Sequence, residues 1–528
     1  MKKIELTQTQ LIIISSLFFV IFDNYVFFEK SYEVFHNVFF VIALGFLLFI
    51  VISTLLSLIS NRFIIKPLLI VLFLTSSAAS YFMKSYGVII NDNMIQNIFE
   101  TDAKEVEGLL NLNLFLHIFF LGILPSIFVL KVKIKKEPIF KELLSRIKLI
   151  IFNVVMVVIL YFLFPKYWVS FFRMHKTLRM YTNPTYYIYS LGKFIKEKYL
   201  TKPVKFKHIG MDAKVESKEP KLIIFVLGEA ARYDHFSLNG YKRDTNPNLE
   251  KIKNVISFNN VYSCGTETAV SVPCMFSIYT KSEYSDKKAK NTDSVIDIIN
   301  RAGVEVLWRD NDSGSKGVAK RVNYEDYNHE NIKPFCKNGN CVDEVLFYKL
   351  QEWINKHKGK NILIVLHTKG SHGPEYYKRY PKEFEKFNPV CKSNQLQDCT
   401  KEEVINAYDN TILYTDYILS KAIKLLKKNE KDFKVAMFYM ADHGESLGEN
   451  GIYLHGMPYF IAPDAQKHPA TIVWFGKNFD INISCVRKIA NKHFTQDNLF
   501  STLLGLMDVK TKVYDKNMDI FYKCRIRR

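Results

Sequence analysis

The stretch LIIFVLGE, residues 222–229, is a run of six apolar residues followed by a glycine and a carboxylate. A second stretch, VAMFYMADHG at 435–444, has the same form and adds a carboxylate and an imidazole. Apolar runs without polar alternation are typical of strands buried on both faces of a parallel sheet. Because the carboxyl ends of such strands meet at one edge, Glu229, Asp442 and His443 are expected to converge. Carboxylate and imidazole groups are common metal ligands, so a metal site is predicted; ordinary loop carboxylates are the alternative.

A candidate nucleophile lies between the two stretches, in CGTETAVSVPC at 264–274. Thr268 begins a run with helical character that reaches Tyr279, and the N-terminus of a helix stabilises an anion. A hydroxyl is a poor nucleophile at neutral pH, and a neighbouring metal is the obvious activator for phosphoryl transfer. A simple N-cap is the alternative role. Thr266 competes with Thr268 for the catalytic role, and spacing alone does not choose between them.

Two histidines and a lysine are further candidates. His372 lies in GSHGP shortly after a predicted strand, and His455 lies in LHG. Histidines beside glycine at a sheet edge could hold a second metal or bind substrate phosphate, although a lone histidine is more often structural. Lys316, in a loop rich in Asp, Ser and Gly, is a candidate phosphate clamp or an ordinary solvated lysine.

The first 165 residues differ in composition from the rest, since Phe, Leu, Ile and Val dominate them. Five segments have membrane-spanning length: 10–28, 36–59, 64–86, 112–132 and 148–166. The first carries Asp23 and Asn24 near its end. A cleavage site of the kind found in signal peptides is not evident after the basic start at Lys2 and Lys3.

The distribution of basic residues predicts the orientation in the membrane. The connection 131–148 is rich in Lys and Arg and belongs with the N-terminus in the cytoplasm, whereas the acidic connection 87–111 belongs outside. Five spans then place everything after residue 166 outside the cytoplasm. Basic residues at 166–179 argue against this orientation, but they carry less weight than the 131–148 cluster. Residues 167–215, rich in Tyr, Lys and Trp, suit an amphipathic segment at the membrane surface or a plain linker.

From residue 216 onward, predicted strands alternate with predicted helices. The strands are 221–227, 304–308, 361–367, 434–440 and 471–475, and the helices include 293–302, 342–357, 402–428 and 496–507. Such alternation predicts an α/β domain with a mainly parallel sheet.

All eight cysteines lie in this second part of the chain. Three short loops suggest the pairs Cys264–Cys274, Cys336–Cys341 and Cys391–Cys399, while residues 485 and 524 stay unassigned. Outside the cytoplasm these pairs would be disulfides. A zinc knuckle is the alternative, but Cys-x-x-Cys spacing is not found.

The formal net charge of +20 comes partly from cytoplasmic loops. Basic residues of the soluble part would favour an anionic partner, such as a phosphate-rich membrane face. Nucleic acid is not expected as a partner of an exported domain. In the connection 87–111, Asn97, Thr101 and Glu105 are spaced to share one helix face, which could hold a lipid head group; a solvated face is the simpler interpretation.

Together, the motifs resemble the phosphoethanolamine transferases that modify lipid A, a family that includes the mobile colistin-resistance enzymes. The matching motifs are GEAAR (228–232), SLNGY (237–241), CGTETA with PCMFS (264–277), WRDN (308–311), GSHGP (370–374) and ADHGESLGE (441–449). The resemblance covers nearly the whole chain. It implies an inner-membrane domain of five helices (1–166), a bridging segment (167–215) and a periplasmic alkaline-phosphatase/sulfatase-like catalytic domain (216–528).

The resemblance also implies roles for individual residues. Zinc would be held by Glu229, Thr268, Asp442 and His443, with Thr268 as the nucleophile. His372 and His455 would contact phosphoethanolamine or a second zinc ion, with Lys316 near the phosphate. The lipid-donor residues would be Asn97, Thr101 and Glu105. Asp312 departs from the pattern, since a neutral amide is expected there.

The implied reaction moves phosphoethanolamine from phosphatidylethanolamine to Thr268 and then to an envelope acceptor, most often lipid A, in a monomeric enzyme. A glycan or a surface protein is the alternative acceptor. A phosphoglycerol transferase of the lipoteichoic-acid synthase type is the nearest rival, although those enzymes look cysteine-poor. A sulfatase would need a Cys-x-Pro-x-Arg or Ser-x-Pro-x-Arg signature, which is missing. A membrane receptor or transporter subunit would need paired intramembrane charges, and the spans carry few.

Overall fold

The computed structural model describes residues 4–100, 106, 108–169, 171–172, 175–200, 205–217, 219–328, 330–337, 340–394 and 396–526. For residues 166, 169, 197 and 397 it describes the backbone alone. The chain divides into two compact units. The first contains Met1–Phe99 and Leu109–Leu200, and the second contains Glu100–Gly108 and Thr201–Arg528.

The N-terminal unit is helical. Its helices are α1 (Gln8–Phe22), α2 (Tyr25–Phe35), α3 (Val38–Ile59), α4 (Ile65–Tyr86), α5 (Asp92–Glu100), α6 (Leu112–Lys131, with a π turn at Phe119–Ile123), α7 (Ile139–Leu163), α8 (Pro165–Val169) and α9 (Thr185–Ile195), with a 3₁₀ turn at Lys176–Tyr181. Within the described residues, α3, α4, α6 and α7 are each long and apolar enough to cross a membrane, and α1 with α2 makes a fifth if the bent pair is one span.

The predicted first span, 10–28, does not form one straight helix. Helix α1 ends at Phe22, and α2 continues at an angle of 59°. The break has a polar cause. Asn24 Nδ2 donates to the carbonyl of Phe19 at 2.9 Å and to that of Asn183 at 2.8 Å, while Asn183 N donates to Asn24 Oδ1 at 2.8 Å. In an apolar setting such backbone groups need partners, and the Asn24 amide supplies them.

A seven-stranded sheet organises the second unit. Its strands are β1 (Lys221–Gly228), β2 (Val255–Phe258), β3 (Glu305–Asp310), β4 (Asn323–Asp326), β5 (Ile362–His367), β6 (Lys434–Ala441) and β7 (Thr471–Phe475). The spatial order is β2-β7-β6-β1-β5-β3-β4, in which β6, β1, β5, β3 and β4 are parallel and β7 is antiparallel to both of its neighbours. The predicted α/β domain with a mainly parallel sheet is therefore present.

Helices and short strand pairs surround this sheet. The helices are α10 (Thr268–Met275), α11 (Asp286–Lys290), α12 (Val295–Arg301), α13 (Leu350–Lys356), α14 (Lys401–Lys428), α15 (Asp464–Lys467), α16 (Ile483–Ile489) and α17 (Leu499–Leu506). Two-stranded pairs join 446–449 to 452–454, 336–337 to 340–341, 261–262 to 494–495 and 214–215 to 509–510; in the first unit, 5–6 pairs with 133–134.

Strand β1 is buried along its whole length, as its apolar run predicts. Ile223, Phe225 and Leu227 face one core, which also includes α12 and α17. The residues between them face a second core, which includes α14. Burial on both faces confines polar residues to the two ends of β1, and Glu229 directly follows the carboxyl end.

The predicted helix 342–357 is wrong as a single element. A 3₁₀ turn at Asp343–Phe347 precedes α13, and Lys349 between them has a φ of +51°. A residue in the left-handed region interrupts the helical hydrogen-bond series, so the two pieces cannot merge. The helix after Thr268 ends at Met275, earlier than Tyr279.

The described cysteines are all paired. The three predicted pairs, Cys264–Cys274, Cys336–Cys341 and Cys391–Cys399, are present, and a fourth joins Cys485 to Cys524. The first bridge encloses the loop that carries Thr268.

The substitution Asn24→Ala should destabilise the helical unit, because the backbone N–H and carbonyl of Asn183 both lose their partner. Each buried unsatisfied group costs about 1–3 kcal/mol. The measurement is the thermal unfolding midpoint of the detergent-solubilised protein. Asn61→Ala is the control, since Asn61 accepts only local hydrogen bonds at an exposed turn and water can replace it. Equal shifts for the two variants would contradict the assignment.

Candidate active site

Two neighbouring strands deliver the predicted metal ligands. The register pairs Ala441 with Gly228, so β1 and β6 end at the same level. The next residues, Glu229 on one strand and Asp442 with His443 on the other, therefore lie side by side. The backbone N of Asp442 donates to the Gly228 carbonyl at 2.9 Å, which continues the ladder to the site itself. All three ligand side chains are fully buried.

Thr268 is the first residue of α10, and it faces these ligands. Its Oγ1 donates to Glu229 Oε2 at 2.9 Å and lies 3.5 Å from His443 Nε2. The competing hydroxyl of Thr266 points elsewhere and donates to the carbonyl of Met457 at 2.6 Å. The geometry thus places Thr268, and not Thr266, beside the carboxylates.

The donor atoms fit a divalent cation. Within the described part of the chain, Glu229 Oε1 and Asp442 Oδ2 have no hydrogen-bond partner although both are buried. His443 Nε2 lies 3.4 Å from each of them, and its Nδ1 is held by the carbonyl of Gly444 at 2.8 Å. Burial and the nearby Asp442 raise the pKa of Glu229 well above its usual value. An ion among these atoms would remove the cost of burying unpaired carboxylates.

His372 and His455 lie next to this ligand set. One ring nitrogen of each histidine lies within 4.8 Å of a Glu229 oxygen, and both histidine side chains are half-buried. His455 Nδ1 is 2.8 Å from Glu445 Oε2, and Glu445 in turn accepts from Tyr376 Oη at 2.7 Å. Burial and Arg379 lower the pKa of His372 well below its usual value. Burial alone would lower the pKa of His455, but Glu445 raises it.

The loop after β3 carries Lys316 and Asp312. Lys316 Nζ donates to the Ser313 carbonyl at 3.0 Å. Burial alone would raise the pKa of Asp312, but His367, His372 and Lys316 lower it well below its usual range. The positive charge of Lys316 therefore acts on Asp312, which lies at the buried edge of the sheet.

The predicted lipid-donor residues are described only in part. Asn97 lies half-buried in α5. Thr101 and Glu105 lie outside the described residues.

Gln496 is a positioning residue that sequence reasoning missed. Its fully buried side chain accepts from the backbone N of Cys264 at 2.7 Å and donates to the carbonyls of Ala441 and Asp442 at 2.9 and 2.7 Å. It therefore ties the loop that carries Thr268 to the strand end that carries Asp442 and His443. A glutamine in a polar stretch far along the chain gives no local signal of this role.

Gly370 is a second feature that the pattern did not reveal. The loop after β5 packs on the backbone of Glu229, whose carbonyl accepts from Ser371 N at 3.0 Å. Gly370 has a φ of +47°, and a Cβ there would lie 2.7 Å from the Glu229 carbonyl oxygen. Only glycine allows this approach.

Comparison with known proteins agrees with the geometry. The family model for sulfatases matches residues 221–509, and that for phosphoethanolamine transferases EptA/EptB matches residues 48–199. Phosphoethanolamine transferase EptA of Escherichia coli (strain K12) is 43% identical over 501 residues, which cover 93% of this chain and 91% of that protein. The chain belongs to the phosphoethanolamine transferase family. It is accordingly an enzyme, with a membrane-spanning N-terminal part and a sulfatase-like domain.

Further relatives extend the likeness over the full length. Phosphatidylethanolamine transferase Mcr-1 of Escherichia coli is 40% identical over 93% of this chain and 94% of its own. The structure of the integral membrane lipooligosaccharide phosphoethanolamine transferase A from Neisseria meningitidis matches with a TM-score of 0.95 and 35% identity, covering 99% of this chain and 100% of that one. The periplasmic domain of phosphoethanolamine transferase EptC from Campylobacter jejuni is 45% identical, with a TM-score of 0.55, over 61% of this chain and 100% of that one. The expected family and fold class are confirmed.

The substitution Gly370→Ala should lower transfer activity by about 10²-fold, because the added Cβ displaces the backbone of Glu229 and a shift of about 1 Å at a reacting centre has effects of that size. Gly359→Ala is the matched control: Gly359 also has a positive φ, but a Cβ there meets nothing within 4 Å. The measurement is kcat/KM, together with circular dichroism to show that both variants fold. Equal losses would point to backbone strain rather than to displacement of Glu229.

Proposed function

We propose that this enzyme transfers phosphoethanolamine from phosphatidylethanolamine to lipid A at the outer face of the bacterial inner membrane. The observation that carries the proposal is the hydrogen bond from Thr268 Oγ1 to Glu229 beside two orphaned carboxylate oxygens. The names of the relatives support it, since Mcr-1 is called a phosphatidylethanolamine transferase and the Neisseria enzyme is named for lipooligosaccharide. An added amine would offset lipid A phosphate charge and weaken the binding of cationic polymyxins.

The proposed topology follows from charge and cysteine chemistry. Residues 1–166 form the membrane domain, 167–215 a bridging segment, and 216–528 a catalytic domain in the periplasm. Four disulfides support an oxidising compartment, and the corresponding domain of the Campylobacter relative is named as periplasmic.

Zinc is the proposed metal. Glu229, Asp442 and His443 would hold it with Thr268 as the fourth ligand, a set of oxygen and nitrogen donors that suits tetrahedral Zn²⁺. When bound, zinc lowers the pKa of a coordinated hydroxyl and offsets negative charge on phosphoryl oxygens. His372 and His455 are proposed to face the substrate head group or a further zinc ion, with Lys316 as the phosphate contact.

The first step forms a bond between Thr268 Oγ1 and the donor phosphorus, and breaks the phosphorus–oxygen bond to diacylglycerol. Glu229 Oε2 already accepts the Thr268 hydrogen bond and is placed to take that proton. Glu445 raises the pKa of His455 against the effect of burial, so this imidazole is suited to protonate the departing diacylglycerol oxygen.

The second step regenerates the free Thr268 hydroxyl. An oxygen of the acceptor phosphate attacks the phosphoethanolamine-threonine, the bond to Thr268 Oγ1 breaks, and the hydroxyl regains its proton. His372, whose pKa burial and Arg379 lower, is suited to take a proton from the acceptor. Because the pKa is raised for His455 and lowered for His372, the first is suited to act as the acid and the second as the base.

The substitution Thr268→Ala should abolish the covalent adduct and lower transfer by at least about 10³-fold, the scale for loss of a nucleophile. Mass spectrometry of the 264–274 peptide and of lipid A from a Gram-negative host measures both effects. Thr266→Ala is the matched control, and it should keep the adduct because that hydroxyl points away. If Thr268→Ala modified lipid A to the same extent as wild type, the assignment of Thr268 as the nucleophile would be refuted. A phosphoglycerol adduct on the peptide would instead favour an enzyme of the lipoteichoic-acid synthase type.

Removal of the metal should reveal a pH dependence of stability. In the metal-free protein the folded-state pKa of Glu229 lies above its usual value of 4.5, so the folded state holds a proton that the unfolded state releases. The contribution of Glu229 to stability should therefore be complete below about pH 4.5 and be lost as the pH rises through its folded-state pKa. Bound zinc should cancel this fall.

The measurement is thermal unfolding of chelator-treated and zinc-loaded protein from pH 4 upward. Glu229→Gln is the control, because it lacks the titrating carboxyl group and should show a smaller decline without metal. A pH dependence without metal that was the same in wild type and Glu229→Gln would contradict the assignment.

A further inference from the structure

The carboxylate of Glu229 lies between two sets of buried polar side chains. Asp442 and His443 flank it from the β6 side. On the β5 side lie His367, the last residue of β5, and Asp312, which follows β3. One ligand atom from each of Glu229, Asp312 and His367 lies within 4.8 Å of the others. The transfer mechanism above uses neither Asp312 nor His367.

His367 is oriented in the way that metal-binding histidines are. Its Nδ1 lies 2.8 Å from Asp310 Oδ2. Asp310 is itself fixed, because it accepts from Trp308 Nε1 at 2.8 Å and from the backbone N of Asp312 at 2.9 Å. A carboxylate on one ring nitrogen fixes the tautomer and leaves the other nitrogen as a metal ligand.

The second nitrogen of His367 lacks a hydrogen bond. The residue is fully buried, yet its Nε2 has no hydrogen-bond partner within the described ranges of the chain. Asp312 Oδ2 is 3.7 Å away, which is longer than a hydrogen bond. Two ligands that each lie 2.0–2.2 Å from one zinc ion are separated by roughly 3–4 Å, so this spacing fits a shared cation.

The pocket also concentrates negative charge. Glu229, Asp310, Asp312 and Asp442 are all at least 96% buried. When His367 is neutral, as a metal ligand must be, one divalent ion with Asp442 and His443 and the Lys316 ammonium offset three of these four negative charges, and a second cation would offset the fourth.

We propose that Glu229, Asp312 and His367 hold a second divalent cation, with Glu229 shared between this Asp312–His367 site and the catalytic ion. The proposal rests on the proposed function only in taking Glu229 as a ligand of a first ion. The Asp312–His367 site is separate from the half-buried pair His372 and His455, and it involves no substrate.

Two carboxylates and one imidazole suit Zn²⁺ or Mn²⁺. The ion would hold the Glu229 carboxylate in a fixed orientation toward Thr268. Its role would thus be to position a catalytic group, not to contact the phosphoryl group.

The test is the metal content of the full-length protein in detergent. Protein stripped by a chelator is dialysed against Zn²⁺ or Mn²⁺, and metal per chain is measured by inductively coupled plasma mass spectrometry. Wild type should bind one equivalent more than Asp312→Asn with at least one of the two metals. The matched control is Asp326→Asn, which removes the same charge from an exposed residue at the end of β4 and should bind as wild type does.

Equal metal content in wild type and Asp312→Asn would overturn the proposal. So would loss of the extra equivalent in His372→Gln alone, since that result would place the second ion at the histidine pair. Thermal unfolding in chelator checks folding, and His367→Gln supplies the same comparison if Asp312→Asn unfolds. Transfer activity that survived Thr268→Ala would refute the proposed function without changing the metal count, so the two failures are distinguishable.

Discussion

The burial of a carboxylate at the end of the central strand is the constraint on which the rest of the site depends. Strand β1 is covered on both faces, and Glu229 follows it into a region that water does not reach. A carboxylate in such a place is stable only if protons, N–H or O–H donors or cations compensate its charge. The Thr268 hydroxyl donates a hydrogen bond to Oε2, whereas Oε1 has no hydrogen-bond partner among the described residues and could bind a metal. The proposed catalytic hydroxyl and the proposed metal would therefore both compensate the charge of this one buried carboxylate.

Buried polar side chains away from the chemistry hold this arrangement rigid. Asp343 accepts from the backbone N of Lys369 at 2.7 Å and from that of Gly370 at 3.0 Å, which fixes the loop that leads to His372. Tyr376 and Glu445 fix His455 in the same manner. The loop that leads to His372 and the side chain of His455 are thus both held by hydrogen bonds to buried side chains, so little reorganisation is expected there when a ligand binds.

Local pattern was enough to predict five of the seven strands of the sheet and the residues that end them, but it missed the two edge strands, β2 (Val255–Phe258) and β4 (Asn323–Asp326). The apolar run before Glu229 and the one before Asp442 each imply a buried parallel strand, and adjacency at the sheet edge then follows from topology. Pattern could not choose between Thr266 and Thr268, because the choice depends on a contact with Met457, 191 residues away. The bend after α1 was signalled by two polar residues, but its cause is a hydrogen bond to Asn183, 159 positions along the chain.

The role of Gln496 has a consequence for how the enzyme matures. Its side chain joins Cys264, near the middle of the sequence, to the strand end that carries Asp442, and it comes 232 positions after the first of these. During synthesis, the seven strands of the sheet, the last of which ends at Phe475, could assemble while the loop that carries Thr268 still lacked this tie. Newly made chains would therefore hold Thr268 in its final position only after residue 496 had been added.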